Sequence, residues 1–279
     1  MIVITQENSQ PSASNDLEGF YKEKIMEYRH LIVEHTNTVA TLTLNRPESL
    51  NALNERLRYE LCVAIAAIAA NDDIRVVVLS GTGRAFCSGD DIKLDSDEDT
   101  LIGEKKGPDD VMVAFRNLPK PIIAKVHGHC LGAGLELALA SDICIATEQA
   151  EFGCPFVRRA IAWGGTLLPK FIGMRRATEM MFGGEPINAA TALEWGIVNR
   201  VVAEGSLEIE TARWVDHFSS SATIAIGYVK QNLTRGWHLS VEDGYTLVTR
   251  NRGQNRLSHD AAEGGSAFRE KREAIFIGR

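Results

Sequence analysis

The alternation of apolar and polar residues divides the chain into strand-like and helix-like runs. Val39 to Leu44 (VATLTL) alternates with a period of two, as a half-buried strand does, and Asn45-Arg46-Pro47 breaks it. Leu57, Leu61, Ile65 and Ile68 then recur at helical spacing behind Asn54, a favourable N-cap residue. Ile74 to Leu79 (IRVVVL) is almost wholly β-branched, the composition of a strand covered on both faces. Ile122 to Val126 is an apolar, strand-like run. It meets a turn broken by Gly128, Gly132 and Gly134, a helical run from Leu135 to Ala140, and a further strand from Ile143 to Ala146. Helical spacing returns at Arg175 to Phe182 and Ala189 to Trp195, and Ile197 to Val202 is strand-like. Beyond Ser206 only helices are predicted: Leu207 to Phe218, Ile224 to Thr234, Val241 to Arg250, and Ala261 to Ala274 with Asp260 as its cap. The pattern predicts an α/β core over residues 28–203 and a helical region over 204–279 that packs on the core or on another subunit. Residues 1–27 hold a Pro/Ser/Asn patch without a period and read as an extension, partly disordered or draped on a neighbour. Leu94 to Asp110 is charge-rich and glycine-interrupted, either a solvated loop or a mobile wall of a substrate cavity.

Composition narrows the class. With 279 residues, 44% hydrophobic and 24% charged, the chain can bury one large core, with or without an appendage. A net charge of −7 argues against nucleic acid or an anionic membrane as the main partner. The five cysteines are odd in number and form no CxxC pair, so reduced thiols in a cytoplasmic protein are expected. No apolar run is long enough for a membrane span, and no signal peptide is visible. Gly81, Gly83 and Gly89 fit neither the dinucleotide nor the P-loop spacing. His127 and His129 flank Gly128 without a further ligand cluster, so no metal site is expected; they are structural imidazoles or proton shuttles.

The one carboxylate in the glycine-led helix is Glu136, in its first turn. Amides there have no partner inside the helix, and the macrodipole is positive at that end, so the turn can hold an anion or a developing oxyanion. Glu136 is then either an acid/base beside an oxyanion site or a charge well placed for the dipole.

Six blocks decide what this turn resembles. NRPESLNAL (Asn45 to Leu53), AFCSGDDIK (Ala85 to Lys93), KPIIAKVHGHCLGAGLELALASDI (Lys120 to Ile143), FGCP (Phe152 to Pro155), WGGT (Trp163 to Thr166) and AFREKR (Ala267 to Arg272) follow the order of the crotonase superfamily of enoyl-CoA hydratases and isomerases. The resemblance covers roughly residues 28–279. It implies a spiral of β-β-α units followed by a helical trimerisation region, assembled as a homotrimer or a dimer of trimers. It implies an acyl-CoA thioester substrate and no separate cofactor, with the thioester oxygen between the backbone amides of Asp90 and Ala133. Gly132 and Gly134 would let the backbone approach the substrate. The CoA adenine would lie by Asp91 and Ile92 with Lys93 near phosphate, and Phe268 and Lys271 would close over the nucleotide.

The chain also departs from the pattern. Hydratases of that superfamily place a second glutamate directly after the FG-x-P turn, where this chain has Phe156. Phe156 and Trp163 then read as pocket walls. Arg158 and Arg159 would either hold a carboxylate on the acyl group, or face solvent or the acidic 94–110 segment. Hydration with Glu136 as the acid/base is the leading reading. Isomerisation, decarboxylation, C–C hydrolysis and non-catalytic thioester binding stay open beside it.

Overall fold

The computed structural model describes residues 28–92 and 106–279. Its main sheet has the strand order β1 (Leu31–Thr36), β2 (Val39–Leu44), β3 (Val76–Gly81), β4 (Ile122–Val126), β6 (Ile143–Thr147) and β9 (Arg200–Val202). Only the β1–β2 pair is antiparallel; the rest run parallel. Parallel strands need crossovers, and the helices between them cover the sheet. Successive side chains in a strand point to opposite faces, so the β-branched runs feed two cores. Val77, Ile122, Ala124 and Cys144 join the large core under α1 (Glu55–Ala70), α2 (Pro108–Asn117) and α3 (Ala133–Ala140). Val76, Ile123 and Ile145 face the opposite way, against Leu207, Trp214 and Phe218 of α6 (Leu207–Ser220). The first helix of the carboxyl-terminal third thus completes the second layer over the sheet, whereas α7 (Thr223–Gly236) and α8 (Val241–Asn255) pair with each other.

A second, three-stranded sheet sets the site. In it β5 (His129–Leu131) pairs parallel with β7 (Glu151–Gly153), and β7 pairs antiparallel with β8 (Ile187–Asn188). Strands β5 and β7 release the two turns that lead to Gly132 and Phe156, and Gly132 N donates to Gly153 O at 2.8 Å. Cys87 N donates to His129 O and Leu131 N to Cys87 O, which brings the turn at Gly89 against the same place.

Some element boundaries match the sequence pattern, and others depart from it in identifiable ways. The N-cap of α1 is Asn54, whose Oδ1 accepts from Leu57 N at 3.0 Å. Strand β1 carries no sequence signal, because apart from buried Leu31 its residues are exposed or half-buried and do not alternate. Helix α4 (Leu168–Gly183) begins earlier than its periodicity suggests, with non-helical Gly173 inside it; α5 (Ala189–Trp195) ends as foreseen. The last helix, α9 (His259–Glu270), is capped by Ser258, not Asp260. Asp260 is buried and instead accepts from Ile277 N and Gly278 N, at 2.8 Å each, tying down the chain's last segment. Lys271, in the left-handed region at φ 55°, stops α9 before the expected Ala274. The expectation for residues 1–27 and most of the 94–110 segment lie outside the described residues.

Candidate active site

Two glycine turns meet at the start of α3. Gly89 has φ 113° and Gly132 φ 55°, conformations that favour glycine. A Cβ on Gly89 would lie 3.1 Å from Leu131 O and 3.6 Å from Ala133 N, so the two turns touch with no room for a side chain. Ala133 is the first residue of α3, and its amide has no acceptor within the helix; the first intrahelical bond there runs from Glu136 N to Gly132 O at 3.2 Å. Gly134 is tighter still, since a Cβ would fall 2.4 Å from Cys87 O. The neighbouring carboxylates are engaged by arginines: Asp90 Oδ1 with Arg58 at 2.8 Å and Asp91 Oδ2 with Arg46 at 2.8 Å.

Glu136 lies one turn into α3 and is only 3% exposed. Burial penalises its charged form and raises its pKa above the ordinary carboxylate value; backbone amides of Gly165 and Leu167 pull partly the other way. Gly165 N donates to Oε1 at 3.2 Å. Both Gly164 and Gly165 have φ 83°, so the WGGT block can fold its backbone over the carboxylate. The buried Phe156 ring stands against the same groups. A Cβ on Gly132 would be 3.3 Å from its Cε1, and one on Gly164 would be 3.0 Å from its Cε2 and 3.5 Å from Glu136 Oε1. Trp163 meets Phe156 edge-on with centroids 5.3 Å apart. The Cys154 thiol, buried beside this carboxylate, is pushed up to about 12, which leaves it a neutral core group at physiological pH.

Glu136, Trp163 and Gly164 line a cavity of about 1140 Å³ that runs between α2, the start of α4 and α7. It is large enough for a sizeable acyl group. Arg158 is paired with Glu185, Arg159 is exposed, and neither lines the cavity. His127 Nε2 lies 2.9 Å from Gly83 O and His129 Nδ1 lies 3.0 Å from Glu151, also outside it. Ile92 and Phe268 are strongly exposed, Lys271 is exposed at the end of α9, and Lys93 lies outside the described residues. Sequence reasoning missed Gly165 and Leu167 as neighbours of Glu136; the WGGT block was the available signal. It also missed Arg116, Asp142 and Lys230, which line the cavity and carried no local signal. Among the described residues no group of three or more His, Cys, Asp or Glu could hold a metal, and no helix is long and apolar enough to cross a membrane.

The enoyl-CoA hydratase/isomerase family model matches residues 34–279. A probable enoyl-CoA hydratase of Rhodobacter capsulatus is 34% identical over 261 residues, covering 91% of this chain and all of the relative. The 1,2-epoxyphenylacetyl-CoA isomerase of Escherichia coli is 33% identical over 253 residues, covering 86% and 95%. Among solved structures, an enoyl-CoA hydratase subunit from Geobacillus kaustophilus superposes with a TM-score of 0.81 at 32% identity, over 91% of this chain and all of its own. Matched along nearly its whole described length, the chain belongs to the enoyl-CoA hydratase/isomerase family and has the crotonase fold.

Proposed function

We propose that this protein processes acyl-CoA thioesters in the manner of an enoyl-CoA hydratase, holding a thioester enolate at the Asp90 and Ala133 amides and using Glu136 as acid/base. The observation that carries this reading is a single juxtaposition: a buried carboxylate of raised pKa one helical turn from a glycine-walled amide at a helix's positive end. An enolate concentrates charge on the thioester oxygen, and a preorganised donor aimed at it is typically worth about 3 kcal/mol. The carboxylate then moves the proton at the adjacent carbon.

A second reading, allylic isomerisation, is favoured by Phe156. Adding water needs one group to orient and deprotonate it and another to protonate carbon, whereas shifting a double bond needs one carboxylate to lift a proton and return it two carbons away. An aromatic ring where a second acid would stand suits the latter. On the nucleotide side, Asp91, Ile92 and Lys93 would flank the CoA, with Phe268 and Lys271 closing over it from the same or another subunit. No cofactor enters either reaction, since both leave the oxidation state of the acyl group unchanged.

The test is to incubate the protein with 2-enoyl-CoA and 3-enoyl-CoA esters and resolve hydrated from isomerised products by mass and chromatography. Glu136→Gln should retain ester binding and lose activity by about 10²- to 10⁴-fold. Full activity in that variant would remove Glu136 from the mechanism. Binding without turnover of any ester by the parent protein would leave a thioester-binding role.

A further inference from the structure

The wall of the Glu136 cavity carries a charge cluster that the proposed chemistry does not use. Lys230 of α7 is only 5% exposed, yet it faces this cavity. Its Nζ donates to Asp142 Oδ2 at 2.7 Å and to Lys120 O at 3.2 Å, which leaves one of the ammonium's three hydrogens without a partner among the described residues. Asp142 Oδ2 also accepts from Ile122 N at 2.9 Å, so the strand holds the carboxylate in place. Arg116, in the last turn of α2, lines the same cavity and is half-buried. Its guanidinium makes no hydrogen bond or ion pair with the described residues, and Asp142 acts on it only through space. Two partly desolvated cations therefore share one carboxylate. Burial pushes the pKa of both downward, Asp142 pulls both part of the way back, and Arg116 lowers that of Lys230 a little further.

We propose that Arg116, backed by Lys230, forms a carboxylate-binding subsite, and that the acyl group this protein takes carries a second carboxylate remote from its thioester. The inference rests on the acyl-CoA reading above and deepens it. A guanidinium presents a planar fork of donors that matches a carboxylate in two parallel bonds. Burying such a cation without an anion is unfavourable, and an arriving carboxylate relieves the cost. The subsite stands apart from the chemistry. Asp142 follows Glu136 by six residues, four along α3 and two in extended chain, a span on the order of 10 Å. A carboxylate held there would sit several carbons beyond the atoms that Glu136 can reach. Arg158 and Arg159, the arginines singled out by their place after Phe156, do not line this cavity.

The experiment compares neutral 2-enoyl-CoA esters with the same chains ending in a carboxylate, over increasing chain length. Dissociation constants and kcat/KM would be measured for the parent, Arg116→Met and Arg116→Lys. The parent should prefer the carboxylated ester at the chain length that spans the two groups. Arg116→Met should lose on the order of ten- to a hundredfold on that ester and leave the neutral one nearly unchanged, with partial recovery in Arg116→Lys. Equal losses on both esters, as a purely structural arginine at a helix end would give, overturn the subsite. So does parity between the two esters in the parent, a measurement that needs no variant to fold. If neither ester binds, the acyl-CoA reading itself fails and the subsite falls with it; if both bind without preference, only the subsite fails.

Discussion

Replacing Phe156 by alanine tests whether its ring sets the environment of Glu136. The ring is buried, touches the would-be Cβ positions of Gly132 and Gly164, and packs edge-on against Trp163. A buried Phe→Ala change typically costs about 3–5 kcal/mol, of which part is the empty cavity left behind. Here the vacated space adjoins the groups that line a cavity of about 1140 Å³, so water can enter and the cavity cost shrinks. What remains is the lost burial of the ring, about 1.5–3 kcal/mol, and the aromatic pair, about 0.5–1.5 kcal/mol. Urea denaturation should therefore show a loss of about 2–4.5 kcal/mol. The second effect is electrostatic. Burial is the largest influence on Glu136, and the amides of Gly165 and Leu167 stay in place when the ring goes. Water in place of the ring should then lower the pKa of Glu136 towards an ordinary carboxylate, and the acidic limb of the pH profile of kcat/KM should move to lower pH. A stability loss with an unmoved limb would mean that other groups desolvate Glu136. A variant as stable as the parent would refute the account of the ring as a packed wall.

Glu136 should also leave a mark on stability. Its folded-state pKa is raised, so its favourable contribution is full below the unfolded value and is lost as pH rises through the folded one. Glu136→Gln removes that titration; its melting temperature relative to the parent should rise with pH across this window, and a pH-independent difference would contradict the burial argument. For assembly, Phe182 on α4, Phe268 on α9 and Leu257 in the turn before α9 are each more than three-quarters exposed, and a homotrimer or dimer of trimers would cover such faces. Light scattering that returns a monomer at micromolar concentration would count against it.

The fold was legible wherever burial imposes a period. Strands β2 and β4 fall where their alternation or β-branched run ends, and α5 was read to the residue, because one face or both faces of each element are buried. Strand β1 is largely solvated and carries no such pattern. Helix α2 begins inside the charged 94–110 segment, with Gly107 N donating to Asp110, so its first turn reads as loop. Asp260 shows the limit of cap chemistry: aspartate suits an N-cap, but a longer-range bond to the chain's last residues claimed it and left the cap to Ser258.

The site divides the same way, and the division explains why the family is easier to read than the reaction. The candidate oxyanion turn is local: glycines, a helix start and a carboxylate one turn later lie within five consecutive residues, Gly132 to Glu136, and a short motif can encode them. The wall of the cavity is assembled from distant elements. Gly165 reaches Glu136 across 29 residues, and Lys230 reaches Asp142 across 88. Proximity in sequence even misdirects here. Arg158 stands two places after Phe156, yet the turn of Pro155–Arg159 presents its guanidinium to Glu185 and leaves the cavity to Arg116, far earlier in the chain. Chain neighbours in a tight turn diverge in direction, whereas cavity neighbours share only a fold. A scaffold of this kind can therefore keep its motif blocks while the residues that wall its cavity change, and with them the substrate and the reaction.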